Sequence, residues 1–395
     1  MRRLGKAILW SAIAAAFIGP GTVTTAASAG ASFGVALLWA VLFSVLATYV
    51  LQEAAARLTI ATGNDLGAVL RTRYPNGAMR VLTLLLVGGA ILIGSAAYEA
   101  GNILGGLAGA MMAIELPREA LTLAVGALAA IMLAFGSPQR IASALAVLVA
   151  LMGAGFLFAA VMLLPEAGAL LGGLVIPGVP EGGALMTVAL IGTTVVPYNL
   201  FLGSSLARGE TLGDTRLGLA LAIGIGGLIT MGIVVVGAAL SGEFTFEAMA
   251  ALLSERLGSW ATVLFALGLL AAGLSSAVTA PLAAALTARG LFDGGEGWDA
   301  NGWRFRSVWI AVLAIGIGFG LADIRPVPAI VLAQALNGML LPVIALFLFV
   351  AIRDRELLGE HANGPFGSLA MGAVTLIATG LGLVALWKVA GTLFG

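Results

Sequence analysis

Apolar runs of about twenty residues, separated by short polar stretches, recur along almost the whole chain. We read eleven of them, at about 8–31, 33–56, 79–111, 119–136, 141–164, 183–206, 217–241, 258–287, 306–322, 328–352 and 367–393. A helix needs roughly 20 apolar residues to cross the hydrocarbon core of a bilayer. The intervening stretches carry charge and turn residues, as in Arg71-Thr72-Arg73-Tyr74-Pro75-Asn76-Gly77 and Asp293-Gly294-Gly295-Glu296-Gly297-Trp298-Asp299. Backbone in lipid must satisfy its own hydrogen bonds. The pattern therefore predicts an all-α polytopic membrane protein, a single transmembrane domain over 1–395 with 11 transmembrane helices.

Composition agrees and narrows the function classes. The chain is 61% apolar and 10% charged, with mean hydropathy +1.10, where soluble domains run at about 25% charged. Its 56 glycines suit closely packed spanning helices. A formal net charge of zero gives no hint of nucleic acid as a partner. The absence of cysteine removes thiolate metal sites, cysteine nucleophiles and disulfides. The one histidine, His361, lies in a polar loop, and the basic start Met1–Lys6 leads into apolar sequence without a cleavage signal. No H-E-x-x-H, paired midplane acids or Ser/His pairing suggests an enzyme, and no segment carries a polar stripe long enough for a channel pore.

Orientation follows from the basic residues. With the N-terminus in the cytoplasm, fifteen of the Lys and Arg residues fall on the inner side, and only Arg118, Arg256, Arg325 and Lys388 fall outside. That bias fits the positive-inside rule. It predicts a cytoplasmic N-terminus and an external C-terminus.

Two segments carry helix breakers at their centres. The first reads Phe17-Ile18-Gly19-Pro20-Gly21-Thr22-Val23-Thr24-Thr25, the sixth Gly192-Thr193-Thr194-Val195-Val196-Pro197-Tyr198-Asn199. Proline removes a backbone donor and glycine weakens the helix; Thr22, Thr24 and Thr25 are candidates to cap the half-helix that restarts. Breaks five segments apart suggest two inverted five-helix repeats, about 8–164 and 183–352, followed by an extra helix at about 367–393. Non-helical backbone at midplane depth has to line a cavity or be buried in protein. Paired breaks in corresponding positions favour a substrate site over ordinary proline kinks. The candidate binding residues are Gly19, Pro20, Gly21, Thr22, Thr24, Val196, Pro197, Tyr198 and Asn199.

The break of segment one, with Ala29-Gly30-Ala31-Ser32-Phe33-Gly34 and Leu37-Leu38-Trp39 after it, resembles the first span of the NRAMP family. The similarity continues through Leu51-Gln52, Ala55-Ala56-Arg57-Leu58, Thr62-Gly63-Asn64-Asp65-Leu66 and Arg73-Tyr74-Pro75. It returns at Pro197-Tyr198-Asn199-Leu200-Phe201-Leu202-Gly203-Ser204-Ser205, Gly273-Leu274-Ser275-Ser276-Ala277-Val278-Thr279, Gln334-Ala335-Leu336-Asn337-Gly338 and Leu341-Pro342. The resemblance implies a leucine-transporter type fold, proton-coupled import of divalent transition metals, and a bacterial-type inner (plasma) membrane. It also implies departures. The family's D-P-G-N becomes Gly19-Pro20-Gly21-Thr22, and its M-P-H-N becomes Val196-Pro197-Tyr198-Asn199. A second family histidine corresponds to Gly203, and an acidic pair in the third span to Glu99 and Asn102. Of the metal ligands the family uses, Gln334 is kept.

A cradle without carboxylate or thioether does not suit Mn²⁺ or Fe²⁺ in the usual way. Helix N-termini, hydroxyls of Thr22, Thr24 and Tyr198, and the Gln334 amide suit an oxyanion. The leading expectation is thus a secondary active transporter, a symporter taking up a small anion, bicarbonate. The alternatives are a divalent cation, Mg²⁺ or Mn²⁺, and a transport-inactive membrane sensor or scaffold. No resident cofactor is expected. Na⁺ and H⁺ are the candidate coupling ions, with Ser275 and Ser276 for the first and Glu99 for the second. The expected partners are a small inorganic ion and the lipid bilayer, the protein being a monomer or weak oligomer. Glu53 reads as interfacial or arginine-paired, Asn199 and Asn337 as caps or bridges, and Gly105-Gly106 as a packing site. Trp39, Trp303, Trp309 and Trp387 read as interfacial aromatics, and Asp354 as part of a solvated charge run.

Overall fold

The computed structural model describes residues 18–136, 139–292 and 295–394. The first half of the segment expected at 8–31 lies outside the described residues. Within them the secondary structure is helical: α1 Pro20–Phe33, α2 Leu38–Thr62, α3 Leu66–Arg73, α4 Gly77–Ala113, α5 Arg118–Phe135, α6 Gln139–Met162, α7 Ala167–Val175, α8 Ala184–Thr194, α9 Pro197–Leu206, α10 Leu212–Gly237, α11 Phe246–Leu257, α12 Trp260–Phe292, α13 Trp303–Leu321, α14 Pro326–Ala351, α15 Arg355–Leu358 and α16 Pro365–Phe394. Among the described residues, ten stretches are long and apolar enough to span a membrane, α8 and α9 counting as one. With α1, the second half of the first segment, they account for every segment read from the sequence. Side chains such as Leu217, Leu221, Ile225 and Leu228 on α10 are exposed and apolar, a face suited to lipid.

Boundaries shift where turn chemistry overrides hydropathy. The second segment starts later than expected, because Gly34 takes a left-handed φ of 58° and residues 34–37 form a turn. It then runs on to Thr62 and stops at Gly63, φ 71°, whose N–H bonds Thr59 O. Arg57 therefore sits on a helix. Its Nε and Nη2 bind Glu53 Oε2 at 3.2 and 3.1 Å, while Arg216 binds Glu53 Oε1 at 2.9 Å. Glu53 is thus arginine-paired, as expected, and joins α2 to α10.

Several short helices escaped the hydropathy reading. In α3, Asp65 caps the first turn by accepting from Ala68 N at 2.9 Å. Ser204 Oγ on α9 accepts from Leu66 N at 2.8 Å, and Arg71 reaches Gly290 O at 3.2 Å. This short helix clamps the end of α2 to α9 and to the end of α12.

Asp354 is not merely part of a solvated run. It accepts from Glu356 N and Leu357 N to cap α15, and it pairs with Arg73. That arginine, with the cap, holds the Asp354 carboxyl below its ordinary value of 3.8. A depressed acid stabilises the fold above its unfolded pKa and loses that contribution as pH falls through its folded pKa. The melting temperature of Asp354→Asn should therefore lie below that of the parent protein at neutral pH. The gap should close on acidification beneath 3.8; a gap that persists there would remove ionisation as its cause.

Trp309 is buried in the packing of α13, and the interfacial expectation fails for it. Trp303 and Trp387 are exposed, and Trp39 Nε1 donates to Gly178 O at 2.8 Å.

Candidate functional site

The two breaks meet. Gly19 precedes α1 in an extended conformation, φ −91° and ψ 173°, and Pro20 occupies the first helical position, where its missing N–H costs nothing. No side chain caps this end, so the expected threonine caps do not form. Thr22 turns sideways and its hydroxyl shares a 3.2 Å hydrogen bond with that of Thr193 at the end of α8. The sixth segment stops at Thr194, passes through Val195 and Val196 in non-helical conformations, and restarts as α9 at Pro197. Pro197 cannot donate to Thr193 O. Tyr98 Oη from α4 donates there instead at 3.0 Å, and Thr48 Oγ1 from α2 reaches Thr194 O at 3.3 Å. Two side chains from unbroken helices thus replace the bonds that the break removes.

Gln334 on α14 lies against α1. A Cβ at position 21 would collide with its amide, and one at position 192 with its carbonyl oxygen. Glycine at 21 and 192 is what lets α1 and α8 approach α14. Gln334 is fully buried, and neither its Oε1 nor its Nε2 has a protein partner. Thr24 and Thr25 are likewise fully buried with hydroxyls that bond nothing, and Ser28 shares that state one turn further on. Gly21, Thr25 and Ser28 recur at helical spacing, so they share the face of α1 turned to Gln334. The two backbone breaks and the Gln334 amide therefore meet in a buried cradle, with the unpaired hydroxyls of Thr24, Thr25 and Ser28 following along α1.

The other candidates fall at different distances from it. Val196, Pro197 and Tyr198 form the turn into α9 and are buried. Asn199 caps nothing: its Oδ1 has no partner. Asn337 bridges two helices, donating from Nδ2 to Gly94 O at 3.3 Å and Ala333 O at 3.0 Å. Ser276 faces the break, since a Cβ at Gly19 would stand 3.2 Å from its Oγ. Ser275 donates to Ala272 O on its own helix. Glu99 does not line the cradle. Its stem packs on Gly316 of α13, Oε2 accepts from Asn102 Nδ2 at 3.2 Å, and Oε1 has no partner. Gly105 and Gly106 are packing positions as expected, against Pro20 and Gly273.

Sequence reasoning missed Thr48, Thr193 and Tyr98. Thr193 stood in the stretch quoted for the break, but Thr48 and Tyr98 sit in unbroken segments, and only the fold brings them to it. Among the described residues, no group of three or more His, Cys, Asp or Glu side chains is placed to hold a metal.

Residues 11–388 match the family described as natural resistance-associated macrophage protein-like. A divalent metal cation transporter, MntH, of Pectobacterium carotovorum is 28% identical, covering 88% of this chain and 85% of its own. The protein of that name in Yersinia enterocolitica is 27% identical over 96% of this chain and 94% of its own. Among solved structures, a manganese transporter of Eremococcus coleocola superposes with TM-score 0.76, at 18% identity, over 99% of this chain and 88% of its own. MhsT in complex with L-phenylalanine superposes at 0.68, with 17% identity and 98% of each chain covered. Both establish the leucine-transporter type fold.

Proposed function

The chain belongs to the Nramp family, and from that premise we propose that it carries a divalent metal cation across the membrane by alternating access. The curated relatives that align along nearly its whole length are named for that cargo. The acceptors the cradle offers are all oxygens: the Gln334 amide Oε1, the hydroxyls of Thr22, Thr24 and Thr25, and carbonyls at the break. Carbonyl, hydroxyl and water oxygens suit the harder divalent ions, Mg²⁺ and Mn²⁺, which keep part of their water shell. The observation that carries the reading is the Gln334 amide. A buried polar group left unpaired costs about 1–3 kcal/mol. A ligand that meets the amide repays that cost. This reverses the order of the expectations drawn from sequence, where bicarbonate came first.

Bicarbonate stays as a second reading, favoured by one feature. The N-terminus of α1 opens on the cradle with glycine as its cap and no acidic side chain in its first turn. Free N–H groups at a helix N-terminus attract anions. For coupling, the placement of Ser276 beside Gly19 supports a Na⁺ site between α12 and the break, while Ser275, turned to its own helix, does not contribute. Glu99 supports H⁺ only from a position behind the cradle.

The test is uptake by the purified protein in liposomes, comparing Mg²⁺, Mn²⁺ and labelled bicarbonate with and without H⁺ and Na⁺ gradients. Saturable divalent uptake is expected. Bicarbonate uptake without any divalent flux would reverse the assignment, and no turnover of any of the three would favour a sensor or scaffold.

A further inference from the structure

Orphaned polar atoms in a membrane bundle trace where water goes in another state. Each unpaired buried group is a standing cost, and a helix bundle tolerates it where an alternative conformation hydrates it. Several such atoms fall on two sides of one aromatic contact. On one side are Thr24, Thr25 and Ser28 of α1 and Gln334 of α14. On the other are Ser95, one turn before Tyr98 on α4, and Asn337 Oδ1, beside Gly94. Between them stand Tyr98 and Tyr198. Their rings meet edge to face with centroids 5.2 Å apart, and both are almost fully buried.

The depth of this contact follows from the register of α4. Gly105 packs on Pro20, Gly101 faces Ile330 and Gln334, Tyr98 reaches Thr193, and Gly94 faces Asn337. Tyr98 is thus three residues, about 4.5 Å of helix rise, from the level of Gln334, in the direction away from Pro20. Tyr198 is the second residue of α9, directly past the break. Both rings are set in an apolar core that includes Ile91, Ile191, Val196 and Leu200, so the contact closes the space between the two polar regions as a packed plug. Tyr98 is also fixed at its far end: its hydroxyl occupies Thr193 O, a carbonyl that the break exposed. One residue therefore holds both the plug and a broken-helix carbonyl of the cradle.

We propose that Tyr98 and Tyr198 form the thin gate on the cytoplasmic side of the cradle, and that the exit opens when the rings separate, as α4 parts from α9, and the Tyr98–Thr193 hydrogen bond to the end of α8 breaks. The gate rests on the alternating-access reading above, but not on which ion is carried. Edge-to-face rings hold by offset electrostatics and dispersion without a strong directional bond. They can part without stranding a charge, which suits a contact made and broken in each cycle. The side is set by the basic loops, which mark the Ser95 end of α4 as cytoplasmic.

The absence of cysteine in this chain makes the test clean. Thr24→Cys places one thiol in the cradle. In vesicles of each orientation, a membrane-impermeant thiol reagent is applied from either side, without substrate, and the labelling rate is read. Adding Tyr98→Ala should speed labelling from the cytoplasmic side at least tenfold and leave the external rate unchanged. Tyr98→Phe keeps the ring and removes only the hydroxyl, so it folds if the ring alone is structural. It should speed cytoplasmic labelling about fivefold, the shift expected from losing one net hydrogen bond. Tyr198→Phe loses no bond the structure assigns and should label as the parent does. Unchanged cytoplasmic labelling in Tyr98→Phe, or faster labelling from the external side alone, would overturn the gate. Because no cargo is present, neither result depends on whether the divalent-cation reading holds.

Discussion

Gln334→Leu should cut uptake roughly 10- to 100-fold while leaving the protein as stable as before or more so. Most substitutions that cripple a buried polar residue also destabilise the fold, because its partners are left unpaired. Gln334 has no side-chain partner to strand. Leucine fills a similar volume, and replacing an unsatisfied amide with carbon relieves a cost of about 1–3 kcal/mol. Transport moves the other way. If the amide oxygen contacts a divalent ion, losing one bond to a charged group is worth about 1.5–3 kcal/mol, or roughly 10- to 100-fold in uptake. The checks are the melting temperature in detergent and initial uptake in liposomes. Uptake within twofold of the parent would show that the amide is not a ligand. Gln334→Glu separates the two cargo readings: a carboxylate there should tighten divalent binding and repel bicarbonate.

Most of the architecture was legible because a bilayer imposes one period and one length on every segment. Ten spans and the second half of the broken first one came out within a few residues of their hydropathy limits. The exceptions share a cause. The start of α2 moved because Gly34 turns the chain left-handed, and its end moved because Thr59 and Thr62 satisfy their hydroxyls on the preceding turn. Hydropathy counts a threonine as polar; a helix counts it as satisfied. The short helices α3, α7 and α11 were missed because they do not span, so the bilayer leaves no mark on their length.

The site was legible in one dimension only. Helix breakers located the backbone gap, but not the donors that complete it. Tyr98 carries no local signal, since a tyrosine in an apolar segment reads as packing. Its role appears only when α4 lies beside α8 and its hydroxyl finds the carbonyl that Pro197 orphaned. Glu99 misled in the opposite sense. It is the conspicuous acid of its segment, yet helical spacing turns it about 100° from Tyr98, toward Gly316 and away from the cradle. The missing acid at position 19, with the hydroxyls gained around it, likewise directed the sequence reading toward an anion, although an amide, hydroxyls and carbonyls can also serve a hydrated divalent ion.

The second large effect should come from one methyl group. Gly192→Ala is expected to lower stability by about 1–3 kcal/mol or more, the usual cost of overpacking a close contact. Its Cβ would strike the carbonyl oxygen of Gln334 and the amide nitrogen of Gly338, both backbone atoms of α14 that no rotamer change can move. The converse holds at Gly338, where a Cβ would meet the backbone of Val188. The α8–α14 crossing is thus glycine against backbone from both sides, and a wider spacing would carry Gln334 away from Thr193 and Gly21. Uptake should therefore fall further than the melting temperature alone would suggest. Gly224→Ala on α10 is the control, because nothing lies within 4 Å of the added atom. Alanine in a helix interior gains roughly 0.5–1 kcal/mol over glycine, so that variant should melt at or above the parent temperature and transport normally. If the two glycines behaved alike, helix propensity alone would govern both, and the close crossing that positions Gln334 would have no energetic weight.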